Sequence, residues 1–266
     1  MFIPSWFVLL FGFAAMLLSL FIYLCIMLVI VYIKKDTSIG NFSWGGGCLL
    51  LTLVSLFVFG HYHPRQILVT MLITIWCSRL AYYVWARYKK GADPRYVDWL
   101  HRWRNPFVGF LFSFGWIVIL NGLFSLVMSL PAVAINITAI QPTFGWFDFL
   151  GILVWLTGFI IESVSDMQLH AFMSDPENKG HLCTQGLWRY SRHPNYFGEM
   201  CMWWGLFLIA CSIPLGMYTF ITPCAITFTL LFVTGIPWNE KAISTNPEYP
   251  EYKRRTSILI PWFVKK

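Results

Sequence analysis

Apolar residues dominate this chain in seven long runs, broken by short polar stretches. The runs are Trp6–Ile33, Trp44–Gly60, Ile67–Tyr88, Phe107–Leu130, Phe144–Ile161, Tyr196–Ser212 and Leu215–Ile236. Most approach the ~20 residues an α-helix needs to cross a bilayer. The second, fifth and sixth are shorter, and tilt or flanking aromatics can extend their reach. Only Ile213 and Pro214 separate the sixth from the seventh, which predicts a helical hairpin. The expected fold is therefore an all-α polytopic membrane bundle of about seven transmembrane helices, one transmembrane domain over residues 1–266. The first run, from about Phe2, has no basic leader and is too long for a signal-peptide core, so it is expected to be a retained span.

Charge gives the bundle a direction. Of 19 Lys and Arg residues, 17 fall in the first, third and fifth loops and the tail, while Arg65 lies on the other side and Arg79 within a span. The positive-inside rule then puts the N-terminus outside and the C-terminus in the cytoplasm. The net charge of +7 does not indicate nucleic acid, because the basic residues sit in short loops between apolar runs. Composition agrees: 58% of residues are hydrophobic and 12% charged, against about a quarter charged in soluble domains. The seven cysteines include no Cys-x-x-Cys pair, and six lie in apolar runs, so packing explains them better than disulfides or zinc. The expected location is an integral membrane protein of a bacterial inner membrane or of the endoplasmic reticulum.

Against this background the stretch from Gly186 to Trp204 stands out. Pro194 suits the first position of a helix, and Glu199 lies just inside the following apolar run. An ionisable residue there is expensive, which points to function. Arg189, Arg192 and His193 bring donors to a helix N-terminus, where backbone N–H groups already favour anions. The segment reads either as a phosphate or carboxylate site at the membrane surface or as a basic anchor beside a buried neutral Glu.

Glu162, Asp166 and His170, at i, i+4 and i+8, share one helix face. Such acids can hold ribose hydroxyls or orient arginines, or they can belong to an ion-pair network that closes the bundle. Arg79, Tyr83 and Arg87 share a face of the third run, and Tyr82 neighbours it. A buried Tyr can donate to a carbonyl, although Tyr more often caps or snorkels. Asp93, Arg95 and Tyr96 can close over a cofactor or contact anionic lipid. His61-x-His63 reads as a turn before Pro64, and His181-x-Cys183 lacks two further convergent ligands for a metal. No Gly-x-Gly-x-x-Gly is present, so a dinucleotide would bind between helices and loops. Gly45-Gly46-Gly47 suits close helix packing. The tail from Trp238 reads as a surface helix that returns to the interface, or as an unstructured basic tail.

The run Gly186-Leu187-Trp188-Arg189-Tyr190-Ser191-Arg192-His193-Pro194-Asn195-Tyr196-Phe197-Gly198-Glu199 resembles the signature of the DUF1295 family of membrane proteins. That family is related to the C-terminal domain of steroid 5-alpha-reductases and to membrane sterol reductases. The resemblance extends to residues 162–169 and to Gly235-Ile236-Pro237, Glu240-Lys241, Tyr249, Tyr252 and Ile260-Pro261. Weaker matches lie at residues 36–39, Trp44-Gly45, Arg79-Leu80 and residues 93–96, and Asn41 departs from the acidic residue of many relatives. Residues 160–262 carry the most specific part.

The resemblance implies a membrane-embedded, NADPH-dependent reductase of a carbon–carbon double bond in a lipid, an enone of steroid or isoprenoid type. It implies a cofactor site at Glu162, Asp166, Arg189, Arg192, His193, Asn195, Tyr196, Glu199, Tyr249, Tyr252 and Arg254, with Tyr82 or Tyr83 donating to the developing enolate. The implied partners are the bilayer, a hydrophobic substrate and a nicotinamide dinucleotide arriving from the cytoplasm, with no nucleic acid, no metal and no evident protein partner. A second reading is S-adenosylmethionine-dependent methylation, because isoprenylcysteine carboxyl methyltransferases share an Arg-His-Pro-x-Tyr-x-Gly-like segment. A third is a non-enzymatic lipid-binding protein.

Overall fold

The computed structural model describes residues 6–34, 43–88, 106–138 and 142–265. Within these ranges it describes the backbone alone at 84–88, 106, 107 and 110. The matches at 36–39, Asn41, Arg87 and the group Asp93, Arg95 and Tyr96 therefore fall outside the described side chains. Among the described residues the structure is helical, and its only β element is an isolated bridge between Ser191 and Ser257.

The helices are α1 (Trp6–Lys34), α2 (Ser43–Phe59), α3 (Pro64–Tyr88), α4 (Pro106–Phe114), α5 (Asn121–Ile137), α6 (Trp146–Ser174), α7 (Pro194–Ala210), α8 (Ile221–Phe228), α9 (Ile236–Ile243) and α10 (Tyr249–Arg255). Each of the seven apolar runs contains a helix. Five helical segments are long and apolar enough to cross a membrane: Trp6–Lys34, Pro64–Tyr83, Leu111–Ile137, Trp146–Ser174 and Gly216–Ile243. The chain is an integral membrane protein. α2 and α7 have 17 residues each, about 25 Å at 1.5 Å per residue, which falls short of the ~30 Å hydrocarbon core.

The helices gather into two compact units, residues 1–144 with 213–219, and residues 145–212 with 220–266. In the first, α1 buries a narrow stripe, Gly12, Met16, Leu20, Leu24, Leu28 and Val31, and exposes its other faces. That is how a helix looks when most of its neighbours are lipid. α2 is packed more closely: a Cβ on Gly47 would lie 2.5 Å from the Ser125 hydroxyl. That hydroxyl donates to the carbonyls of Trp44 and Asn121 at 3.0 and 2.7 Å. Between α4 and α5 the chain stays helical through a π turn, Gly115–Leu120. The Asn121 backbone N–H and its side-chain amide, at 2.9 Å, both reach back to the Trp116 carbonyl, which stabilises the widened turn. The turn at His61 and His63 is held by Gln66, whose amide oxygen accepts both backbone N–H groups at 3.0 Å.

In the second unit α6 runs thirteen residues past the apolar segment that ends at Ile161. Residues 162–174 contain no Gly or Pro, so nothing stops the helix before Asp175 and Pro176. α6 and α7 pack antiparallel through two glycine pairs. A Cβ on Gly151 would lie 2.6 Å from the Gly205 carbonyl, and one on Gly158 2.5 Å from the Gly198 carbonyl. The seven-residue spacing on both helices fixes the register and brings Gly198 against the backbone of Glu162. The expected hairpin forms, with α8 against α7 and Phe220 packed edge-on to Trp204 and Phe207. The tail is neither a single surface helix nor unstructured. It folds into α9, α10 and a non-helical segment over residues 257–265 that bends at 258–260.

Candidate functional site

The signature segment is docked from two sides. Gly186 turns the chain with φ +57°, and a Cβ there would meet the Gln168 amide at 2.5 Å. Gln168 accepts the Leu187 N–H at 2.9 Å, and the Trp188 indole N–H donates to the Ser165 carbonyl of α6 at 2.9 Å. From the other side Tyr252 donates to the Trp188 carbonyl at 2.6 Å, and burial raises its phenol pKa. The tail adds Arg192 N–H to the Ser257 carbonyl at 2.8 Å and the Ser191 hydroxyl to the Leu259 carbonyl at 2.6 Å.

Within this frame Arg192, His193 and Tyr249 converge on Glu240, in the last turns of α9. Arg192, only 6% exposed, grips the carboxylate with Nε at 2.9 Å and Nη2 at 3.2 Å. Its Nη1 donates to the carbonyls of Lys253 and Thr256 at 3.0 and 2.9 Å. His193 Nε2 lies 3.0 Å from Glu240 Oε1. Burial holds the His193 pKa below its ordinary value, against the pull of Glu240, so the neutral ring donates. Tyr249 donates to Glu240 Oε2, and burial, with the hydrogen bond and charge of Glu240, pushes its pKa up to about 12. Four of the five N–H donors of Arg192 are thus committed. Arg192 is expected from the signature to hold a ligand anion, whereas here it holds this chain together. In the sequence Glu240 stands out only through the family likeness. A carboxylate just past an apolar run, with cations elsewhere in the chain, was the available signal.

A second group lies where α6 meets α7. Glu162 and Asp166 are buried on one face of α6, as their spacing predicts, while His170, one turn on, is exposed. Pro194 opens α7 as expected, and Asn195 follows it in the first turn. Asn195 Nδ2 donates to Asp166 Oδ1 at 3.3 Å. Asn195 Oδ1 is buried and accepts no hydrogen bond among the described residues. The Tyr196 ring stacks on His193 with centroids 5.6 Å apart at 12°, and its hydroxyl accepts from Asn239 at 2.6 Å. Asn239 was not expected from the sequence. Glu199 is half-buried one turn further along α7.

This group is rich in acceptors, which suit hydroxyl, amine or carboxamide hydrogens rather than phosphate oxygens. Arg189 is exposed and forms no ion pair with a described residue, and Arg254 is exposed and paired with Glu251 at 2.7 Å. Tyr82 and Tyr83 belong to α3 of the first unit, the former exposed and the latter half-buried. No group of three or more metal-binding side chains occurs among the described residues. His181 lies instead 2.5 Å from Glu248, whose carboxyl is held below its usual range by the Leu182 N–H and His181.

A polytopic helical protein with a polar, acceptor-lined cluster at one end of a helix pair is the class these features define. The DUF1295 profile, described as a protein of unknown function, matches residues 27–256, and the chain belongs to that family. It is 25% identical over 168 residues to an uncharacterised protein of Schizosaccharomyces pombe, covering 54% of this chain and 48% of the yeast protein. It is 28% identical over 114 residues to mouse 3-oxo-5-alpha-steroid 4-dehydrogenase 1, covering 43% of this chain and 42% of the mouse enzyme. Identity to the human enzyme of that name is 29% over 115 residues, covering 42% of this chain and 40% of the enzyme. The chain thus spans under half the length of the curated relatives it matches. No solved structure matches.

Proposed function

We propose that this protein is a membrane-embedded reductase that saturates a carbon–carbon double bond in a lipid enone, of steroid or isoprenoid type, at the expense of NADPH. The kinship with mouse and human 3-oxo-5-alpha-steroid 4-dehydrogenase 1 supports the reaction class. The observation that carries the site is the buried, unsatisfied Asn195 Oδ1 beside Asp166. A buried acceptor left without a donor costs about 1–3 kcal/mol, which a ligand N–H or O–H would recover.

Bound NADPH would supply the hydride. Asp166 and Asn195, with Glu162, would hold its ribose hydroxyls or carboxamide. The exposed Arg189, and Arg254 on release from Glu251, would face its phosphates. Arg192, His193 and Tyr249 would shape the floor through Glu240 without touching the anion. Tyr82 and Tyr83 are the proposed hydrogen-bond donors to the substrate carbonyl as it gains negative charge. In this reading the chain crosses the bilayer seven times, α2 and α7 by tilt or local thinning, with the C-terminus and the cofactor on the cytoplasmic side. Labelling of a cysteine engineered near Lys266 from outside intact cells would refute that orientation.

Methylation with S-adenosylmethionine is the second reading, and one observation favours it: the commitment of Arg192 to Glu240 leaves a weaker phosphate clamp than the signature implies. Calorimetry of the detergent-solubilised protein against both nucleotides separates the two. NADPH should bind, more weakly as salt rises, and S-adenosylmethionine should not. Tight adenosylmethionine binding without nicotinamide binding would reverse the assignment.

A further inference from the structure

The chain ends in a segment whose chemistry is unlike that of either polar cluster. Residues 257–265 bend at 258–260 and are hydrogen-bonded to the signature segment. Trp262 N–H donates to the Tyr190 carbonyl at 3.0 Å, and Lys265 N–H to the Arg255 carbonyl at 3.0 Å, in addition to the bonds made by Ser257 and Leu259. Ile258, Ile260, Trp262 and Phe263 are all exposed, Trp262 to 63% and Phe263 to 79%. Lys253, Arg254, Arg255 and Lys265 flank them, all exposed, and Glu251, paired with Arg254 and Arg255, is the one carboxylate in the sequence from 251 to the end. Lys253 stands over the Tyr249 ring at 5.6 Å.

The level of this surface follows from α6. Trp146, exposed at the first turn of α6, is an aromatic of the kind that marks one membrane interface. Ser165, whose carbonyl receives the Trp188 indole, lies nineteen residues further along the helix, about 28 Å at 1.5 Å per residue. That distance is close to the ~30 Å thickness of a hydrocarbon core. Trp188, Tyr190 and the strap bonded to them therefore stand at the opposite interface. There, apolar side chains meet acyl chains and basic ones meet headgroups.

We infer that the C-terminal strap, residues 257–265, docks into the headgroup–acyl boundary of an anionic leaflet, with Ile258, Ile260, Trp262 and Phe263 inserted and Lys253, Arg255 and Lys265 on lipid phosphates. Four apolar side chains presented together need cover, and four cations beside them select an anionic surface over a neutral one. Each basic residue near such a surface contributes about 1 kcal/mol, roughly five-fold in affinity. The strap is hydrogen-bonded to Ser191 and Arg192, so anionic lipid would also steady the signature segment. This inference is independent of the chemistry proposed for the polar cluster.

The test uses the full chain in lipid nanodiscs, with p-benzoylphenylalanine in place of Phe263. One disc is phosphatidylcholine alone, and in the other about a third of the lipid is phosphatidylserine. Photolysis should give lipid adducts, with a yield several-fold higher in the anionic disc. Joint K253Q, R255Q and K265Q substitution should abolish that gain while leaving the melting temperature unchanged. Equal yields in the two discs, adducts mainly to a second copy of the chain, or no lipid adduct at all would overturn the inference. The comparison of discs stands on the unaltered charges, so it is decisive even if the triple variant fails to fold.

Discussion

Arg65 in the first unit and Arg192 in the second are both buried, at 0% and 6% exposure, yet they are accommodated differently. Arg65 donates to the carbonyls of Pro142 and Thr143 at 2.9 and 3.0 Å and stands 5.3 Å from the centre of the Phe144 ring. Its partners include main-chain dipoles and a π face within three consecutive residues. Arg192 grips a carboxylate that also receives His193 and Tyr249. The first arrangement closes a loop. The second joins α7, α9, α10 and the tail through one anion, so a change at any member is felt by the others. The amides divide differently. Buried Asn136 donates to the Thr52 carbonyl and the Ser55 hydroxyl, and Asn195 donates to the Asp166 carboxylate from the first turn of α7. In both the side-chain oxygen accepts no hydrogen bond among the described residues, so what separates them is the partner of the NH2, neutral in the one and charged in the other.

The sharpest way to break the comparison is Glu240→Ala. It leaves the buried Arg192 without its counter-charge, and stability should fall by about 3–5 kcal/mol. Arg65→Met removes the bonds to the Pro142 and Thr143 carbonyls, and its cost should be nearer 1–3 kcal/mol. Thermal unfolding of both variants in the same detergent measures the difference, and equal losses would dissolve the distinction.

Asn195→Ala should do the reverse. Nucleotide affinity should fall roughly ten-fold, about the worth of one hydrogen bond to a charged or buried partner, while the melting temperature of the ligand-free protein barely moves. Unchanged binding with a large loss of stability would make the Asp166–Asn195 pair purely structural.

The second unit should also respond to pH. His193 has a folded pKa below its ordinary value, so below about pH 6.5 the unfolded chain takes up a proton that the folded ring resists. Stability should therefore be complete above that pH and decline on acidification. His193→Gln, which keeps a donor for Glu240, should flatten this decline in melting temperature between pH 7 and 5.

Arg254→Gln is the mildest test. Its pairing with Glu251 is exposed, so stability should not change. If Arg254 faces a cofactor phosphate, the salt dependence of NADPH binding should become shallower. An unchanged salt slope would remove it from the site.

Local sequence determined a good deal of this molecule. The apolar runs located the helices because burial in lipid demands continuous apolar length. Pro194 located the start of α7 because a fixed φ and a missing N–H cost nothing there. The i, i+4 spacing placed Glu162 and Asp166 on one face because 3.6 residues make a turn. The family signature was legible in the order of residues 186–199. Partners chosen across the fold were decided only by tertiary structure. Arg192 and Glu240 are 48 residues apart, and nothing in either neighbourhood distinguishes an arginine waiting for a phosphate from one closed on a carboxylate. The course of 257–265 is likewise set by hydrogen bonds to Tyr190, Ser191 and Arg192. Helix periodicity is a property of a few consecutive residues, whereas the satisfaction of a buried charge depends on which distant segments packing brings within three ångströms.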